Sequence, residues 1–460
     1  MGKSITVADN IGEVYFNGNK VIRKINKSFE GWIIYLFNCG FIDELVNSNL
    51  IPDIRLIKDG KSVILEMDRI EPIIYPFELP FDALKEAAVK VLDIAEICKK
   101  YNVGMKDCHS WNFLLHKGRM LYVDIGSFSI KGFNFPIQEF LQSYYFPLYL
   151  WSFGLEYTVK YSLLWRAKFP YDEFYLIRYP FLRYLNNNKI VSKFLYYKAK
   201  LDGLNYYNKE ILEENINEKF KENRLLKNFF LLFYKLSLYK PFSINLSDLK
   251  RKIEKLELNK KTEWGEYYKS FHLTERFKKI IEYTNKYCSE AEVAISFGGN
   301  QGFLENELLN QTNLKKIIVQ DIDSKAINYG YKKFSKRLDN KEIYFVQYDF
   351  CLPITHPYIE SVYKRFNADI VYALALLHHL LLKDGFSLEY LLSEFKKYTK
   401  RYIFIEFMPL GLWTPGVNIN VPNWYNENYF SSEFLKHFNL LKREKLEENR
   451  ILYIGYKKDE

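Results

Sequence analysis

Apolar residues recur along this chain with two periods, and the change from one to the other organises it. Over residues 10–70 the runs are short and alternating. Glu13–Phe16 and Val21–Ile25 read as strands, with Asn17-Gly18-Asn19 between them as a hairpin turn, and Val63–Glu66 reads as a further strand. Leu84, Ala87, Ala88, Val91, Leu92, Ala95 and Ile97 then repeat at helical spacing, which predicts an amphipathic helix over Phe81–Lys100. Residues 136–257 continue as lysine-rich helices ending in Leu249–Leu258. Phe140–Trp165 comes nearest to a membrane span, but Glu156 and Lys160 interrupt it, so a buried helix pair is expected there.

Lys260-Lys261-Thr262 reads as a linker. Beyond it Val293–Phe297, Ile317–Val319, Ile343–Val346, Asp369–Ala373, Tyr402–Phe407 and Ile451–Tyr456 read as strands separated by helical stretches. That alternation predicts a doubly wound α/β sheet. At 460 residues the chain exceeds one ordinary core. The expectation is a multi-domain α/β protein with domains over 1–258 and 262–460, the first split into a small β lobe (1–72) and a helical lobe (73–258).

Composition narrows the function classes. Hydrophobic content of 48% with 27% charge belongs to a globular chain, not a disordered one. The 38 Tyr and 37 Phe accompany heavy use of Lys, Asn and Ile, so general compositional bias competes with a carbohydrate-stacking surface as their explanation. A net charge of +10 without a dense basic block suits phosphorylated or polyanionic partners, or peripheral contact with an acidic membrane, and excludes a specific nucleic-acid reader. No transmembrane segment is visible. Five scattered cysteines without C-x-x-C spacing predict reduced thiols and a cytoplasmic protein. Oligomeric state leaves no trace in the sequence.

Two constellations carry chemistry. Phosphoryl transfer needs a carboxylate to orient and deprotonate the acceptor hydroxyl, and ligands that hold magnesium on the phosphates. Asp107 and Asn112, five residues apart on a loop before a short hairpin, supply a base and one metal ligand; Leu121-Tyr122-Val123-Asp124 delivers Asp124 as the other. On Val21-Ile22-Arg23-Lys24 either Arg23 or Lys24 reaches the phosphates, because a strand shows only one of two neighbours to a cleft. No Gly-rich phosphate loop precedes them; Asn10-Ile11-Gly12 is a thin substitute. The loop Asp107-Cys108-His109-Ser110-Trp111-Asn112 resembles the D-x-H-x-x-N loop of aminoglycoside and choline phosphotransferases, and Asp124-Ile125-Gly126 resembles the kinase D-F-G. The resemblance implies a protein-kinase-like bilobal domain using ATP and Mg2+.

In the second half, Val293-Ala294-Ile295-Ser296-Phe297 feeds Gly298, Gly299, Asn300, Gln301 and Gly302, a turn that lets backbone approach a ligand at a helix N-terminus. Asp321 ends the next strand, where an acid accepts ribose hydroxyls, and Gln347-Tyr348-Asp349 ends a third, placing Asp349 for an adenine contact. His378 and His379 after the fourth strand serve as acceptor base or substrate ligand, or pack a helix; Glu406 is expected at the same mouth. This order resembles class I S-adenosylmethionine-dependent methyltransferases over 265–460 and implies a Rossmann-like domain with that cofactor. Ser296 departs from the pattern, standing where the family carries Asp or Glu.

Gly12-Glu13-Val14, Tyr75-Pro76-Phe77-Glu78, Met105-Lys106-Asp107, Tyr122-Val123-Asp124, Thr262-Glu263-Trp264-Gly265-Glu266-Tyr267-Tyr268 and Leu374-Ala375-Leu376-Leu377-His378-His379 together resemble bacterial nodulation-protein-like methyltransferases. That resemblance favours Arg23 over Lys24. The pairing of activities is similar to kinase–methyltransferase fusions that terminate surface polysaccharides, with the domain order reversed. It implies a bifunctional enzyme acting on a glycan or phosphosugar. Two other readings stay open: a methyltransferase whose first half only presents substrate, and a non-catalytic nucleotide-binding partner protein.

Overall fold

The computed structural model describes residues 11–60, 62–165, 168–178, 224–225, 228, 245–259, 261–262, 264–265, 272–355, 359–413 and 421–458. The chain forms two compact units. The first gathers residues 1–69, 84–114 and 120–259; the second gathers 70–83, 115–119 and 260–460. The chain therefore passes between units repeatedly, where the sequence suggested one passage near residue 260.

In the first unit, β1 (Gly12–Asn17) and β2 (Lys20–Ile25) form the expected hairpin. β4 (Ser62–Asp68) pairs with β2, and β3 (Ile54–Asp59) lies outside β4, giving an antiparallel sheet of order β1-β2-β4-β3. Two helices, Lys27–Asn38 and Phe41–Asn47, separate β2 from β3 in a region that reads from sequence as strands alone. The aromatic and β-branched content of Trp32–Phe37 disguised the first of them. Only Ile33 and Leu36 of that helix are buried, a helical spacing of three.

The helix Phe81–Lys100 has the bounds its periodicity predicts. It leads to β5 (Gly104–Met105), which pairs with β8 (Phe128–Ser129). Between these lies the hairpin β6 (Phe113–His116) and β7 (Arg119–Tyr122), so two loops are held at one end of a small scaffold. The Phe140–Trp165 stretch resolves into helical turns up to Ser152 and a separate helix Glu156–Trp165; no described helix is long and apolar enough to cross a membrane. Tyr171–Arg178 and Leu246–Glu254 follow the helical expectation, while most of 179–244 lies outside the described residues.

The second unit is built on a seven-stranded sheet. Its strands are β9 (Val293–Phe297), β10 (Lys316–Asp321), β11 (Glu342–Gln347), β12 (Ala368–Ala373), β13 (Thr399–Phe407), β14 (Phe438–Glu447) and β15 (Arg450–Lys457). The order is β11-β10-β9-β12-β13-β15-β14, parallel from β11 to β13, with β15 antiparallel to both neighbours. β9 has β10 on one side and β12 on the other, so the winding reverses there and a crevice opens at the strand C-termini. β9 to β12 bury both faces, which produces the apolar runs seen in sequence. β14 was not anticipated: its Lys442, Arg443, Glu444 and Lys445 are the charged decoration of an edge strand.

Candidate functional site

The crevice of the second unit starts at the end of β9. Gly298 (φ 66°), Asn300 (φ 52°) and Gly302 (φ 73°) are left-handed, so the chain turns sharply before the helix Phe303–Gln311. A Cβ at Gly302 would lie 2.6 Å from Phe345 Cε1, which excludes a larger residue where the turn meets the sheet. Asn300 takes a left-handed place that is costly for most side chains but tolerable for asparagine.

Asp321 is locked to this turn. Its Oδ2 accepts the Asn300 N–H at 2.8 Å and its Oδ1 the Asp323 N–H at 2.9 Å. The side chain is buried, and burial pushes its pKa up to about 6 against the lowering effect of those two N–H groups. Among the described residues no cation pairs with it. The Ile322 N–H adds a third backbone donor, and the lone pairs that backbone leaves open are available to hydroxyl donors.

A strap completes the turn. Asp323 caps the helix Ser324–Phe334 and also accepts from Thr262 Oγ1 at 2.8 Å and Trp264 N at 3.2 Å. Asn300 Nδ2 donates to Trp264 O and Gln301 Nε2 to Gly265 O, both at 3.1 Å. Thr262, expected in a linker, is thus tied to the site; Lys260 lies outside the described residues. Trp264 also meets His379 edge-on at 5.3 Å, connecting the strap to the loop after β12. Leu376 of that loop closes over Gly298, 3.1 Å from where a Cβ would stand.

His378 is buried and stacks obliquely on His379 at 4.1 Å; its Nδ1 has no hydrogen-bond partner. Burial, with the charges of His379 and Arg450, pulls its pKa down to about 3, so the ring is neutral at physiological pH and one ring nitrogen is a free acceptor in character. Asp349 lies just past β11 and accepts from Cys351 N at 2.9 Å, closing an Asx turn; Tyr348 stacks on Phe366 beside it.

Glu406 does not stand open at the mouth as expected. It is fully buried, and both oxygens are taken: Arg276 donates to them at 2.6 and 2.7 Å and Arg450 at 3.1 Å. A buried carboxylate with both oxygens taken by two guanidinium groups is closed to a ligand; its part is to fix Arg276 and Arg450. Sequence reading missed both arginines, whose shared partner Glu406 is 130 and 44 residues away, and Glu305, which reads as an ordinary acid of a first helical turn. The Thr262–Tyr268 stretch was the one available signal for the strap.

In the first unit the expected cluster is assembled. Asn112 Nδ2 donates to Asp107 Oδ1, and Ser127 Oγ lies 3.0 Å from Asp107 Oδ1 and 2.6 Å from Asp124 Oδ2. One hydroxyl hydrogen cannot serve two carboxylates, and burial, with the negative Asp124 adding to it, raises the Asp107 pKa against the opposing His109. Asp124 caps the turn Ile125–Ser127 and pairs with Arg23, whose two terminal nitrogens donate at 3.2 Å. Lys24 points to solvent from the other face of β2, as alternation requires. Asn10 of the thin glycine segment lies outside the described residues, and Gly12 opens β1. Among the described residues no group of three or more His, Cys, Asp or Glu is placed to hold a metal ion.

No protein-family description matches the chain, and no curated protein does. Solved structures similar to part of it include the N-methyltransferase NodS from Bradyrhizobium japonicum WM9, at 10% identity over 40% of this chain and 96% of that one, with a TM-score of 0.30. The magnesium protoporphyrin IX methyltransferase ChlM from Synechocystis PCC 6803, with bound SAH, matches at 13% identity over 40% and 82%, with a TM-score of 0.31. The PH0226 protein from Pyrococcus horikoshii OT3 matches at 14% identity over 42% and 99%, with a TM-score of 0.32.

Proposed function

We propose that the second unit is an S-adenosylmethionine-dependent methyltransferase. The observation that carries this is the joint geometry of the left-handed turn and Asp321, at the point where the sheet reverses its winding. An all-parallel dinucleotide sheet shares the turn and the acid, but here β15 runs antiparallel to its neighbours. The residues fit the group. Backbone is bared at Gly298–Gly302, Asp321 offers lone pairs to two ribose hydroxyls, and Asp349 lies at the third strand end for the adenine side.

When bound, S-adenosylmethionine supplies an electrophilic methyl group on a sulfonium, so the protein's task is proximity and alignment. Asp321 and the turn hold the nucleoside; Trp264, Leu376 and His379 narrow the approach; neutral His378 accepts a hydrogen bond from the acceptor. Titration calorimetry with S-adenosylhomocysteine tests the reading: wild type binds, and Asp321→Ala loses binding by about 10- to 100-fold while its unfolding remains cooperative. Equal binding in the two proteins refutes the assignment.

For the first unit the reading is a kinase-like phosphotransfer site, with Asp107 as base and Asn112 and Asp124 as magnesium ligands on ATP. What supports it is that Asp107 and Asp124 meet at the Ser127 hydroxyl while Asn112 donates to Asp107. The Arg23–Asp124 pair favours a second reading, a substrate-presenting unit without phosphoryl transfer, because the guanidinium occupies an oxygen that magnesium requires. A glycan or phosphosugar acceptor is consistent with the excess positive charge. A cytoplasmic setting is consistent with five unpaired thiols.

A further inference from the structure

Ser296 is the next-to-last residue of β9, buried two positions before the left-handed Gly298. Its hydroxyl donates to Glu305 Oε1 at 2.6 Å, and the two side chains are among the most buried polar groups of the unit, with Ser296 2% and Glu305 3% exposed. Glu305 belongs to the first turn of the helix Phe303–Gln311, so it reaches the end of β9 from the helix side. A Cβ at Gly299 would stand 3.2 Å from Glu305 Oε1 and 3.2 Å from Ser296 Oγ, which lodges the carboxylate directly against the bared backbone of the turn. Packing alone gives no reason for it. A buried carboxylate is costly unless paired, and among the described residues no cation forms an ion pair with Glu305. The helix N-terminus and one hydroxyl offset part of that cost. A group so expensive, beside a ligand-approaching turn, has the mark of a functional residue.

We infer that Glu305 is the carboxylate that receives the positively charged methionine end of S-adenosylmethionine, with Ser296 holding its rotamer. The acid that the strand lacks at Ser296 is delivered from the helix nine positions later. This rests on the methyltransferase reading of the same crevice. The two positive groups of the cofactor, the α-ammonium and the sulfonium, share the chemistry that a carboxylate recognises, and S-adenosylhomocysteine keeps only the first.

Calorimetric binding of both compounds to the full chain tests this with three variants. Glu305→Gln keeps the shape and the Ser296 contact but removes the charge. Glu305→Ser removes both, and Ser296→Asp with Glu305→Ser returns the carboxylate from the strand side. The expected result is a loss of about 10- to 100-fold in S-adenosylmethionine affinity for each single variant, with the exchange variant recovering most of it. Equal loss for S-adenosylhomocysteine assigns the contact to the ammonium, and loss confined to S-adenosylmethionine assigns it to the sulfonium. Thermal melting without ligand should leave Glu305→Gln as stable as wild type or more so. Wild-type affinity in Glu305→Gln overturns the inference while the methyltransferase reading stands. A folded exchange variant as weak as Glu305→Ser overturns it too. Wild-type protein that binds neither compound removes both.

Discussion

Asp321 and Glu305 are two buried acids beside one turn, and their ionisation sets a measurable cost on folding. Burial pushes Asp321 up to about 6 and Glu305 up to about 7. A carboxyl whose folded pKa exceeds its unfolded value holds its proton longer in the folded chain. Between the two values the folded state binds more protons, and stability falls as pH rises through that window. For Glu305 the window runs from 4.5 to about 7, with Asp321 and Arg276 the charges that face it. Without ligand, wild type should therefore lose melting temperature from about pH 5 to about pH 7.5 more steeply than Glu305→Gln. Parallel profiles would show that Glu305 ionises freely. At this scale the sequence displayed Ser296 as a departure but hid its partner, because a glutamate in a first helical turn reads as ordinary dipole compensation. Glu406 shows the opposite error. Its strand-end position was legible, but its ligands Arg276 and Arg450 lie 130 and 44 residues away and no local pattern announces them.

Among elements, the segment Ile70–Ala83 is the clearest case of a piece whose membership follows from contacts and not from chain order. Glu78 and Arg365 form a two-pronged ion pair at 2.6 and 2.7 Å, each side chain 1% exposed, and Arg365 also donates to Ile73 O at 2.6 Å. Tyr75 and Phe366 lie against the Arg365 guanidinium, Glu360 N donates to Tyr75 OH, and Asn328 bonds Asp82. Removing one charge of such a pair strands the other in a place water does not reach. Glu78→Gln should thus cost about 3–5 kcal/mol in urea unfolding, whereas Glu78→Leu with Arg365→Met should cost much less or nothing. Equal costs for the single and double variants would mean that the segment is held by shape and not by this pair. Periodicity revealed most strands of the second unit and the helix Phe81–Lys100 because their burial is regular. It failed at β14, whose exposed faces carry charge, at the helix Lys27–Asn38, whose residues favour strands, and at the Ile70–Ala83 attachment, which is wholly tertiary.

For the molecule as a whole the open question is whether one chain carries two chemistries, and the Arg23–Asp124 pair makes it decidable. Magnesium is held at such sites by one or two carboxylates together with the phosphates, so it must compete with the guanidinium for Asp124 Oδ1. If the first unit works as a phosphotransferase, the arrival of phosphate gives Arg23 a second anion to bind, which frees Asp124 for the metal. ATP binding should then depend on magnesium in wild type. Asp124→Asn should abolish that dependence, and Arg23→Met should weaken ATP while sparing the fold. Titration of ATP with and without magnesium into the three proteins distinguishes the cases, because a phosphotransfer site needs the metal and the cation together. ATP binding indifferent to magnesium in wild type would make Arg23 a substitute for the metal and the unit a nucleotide holder. Absence of binding in all three would leave the Asp107, Asn112 and Asp124 cluster as a structural knot, and the proposed methyl transfer as the one chemistry still to be tested.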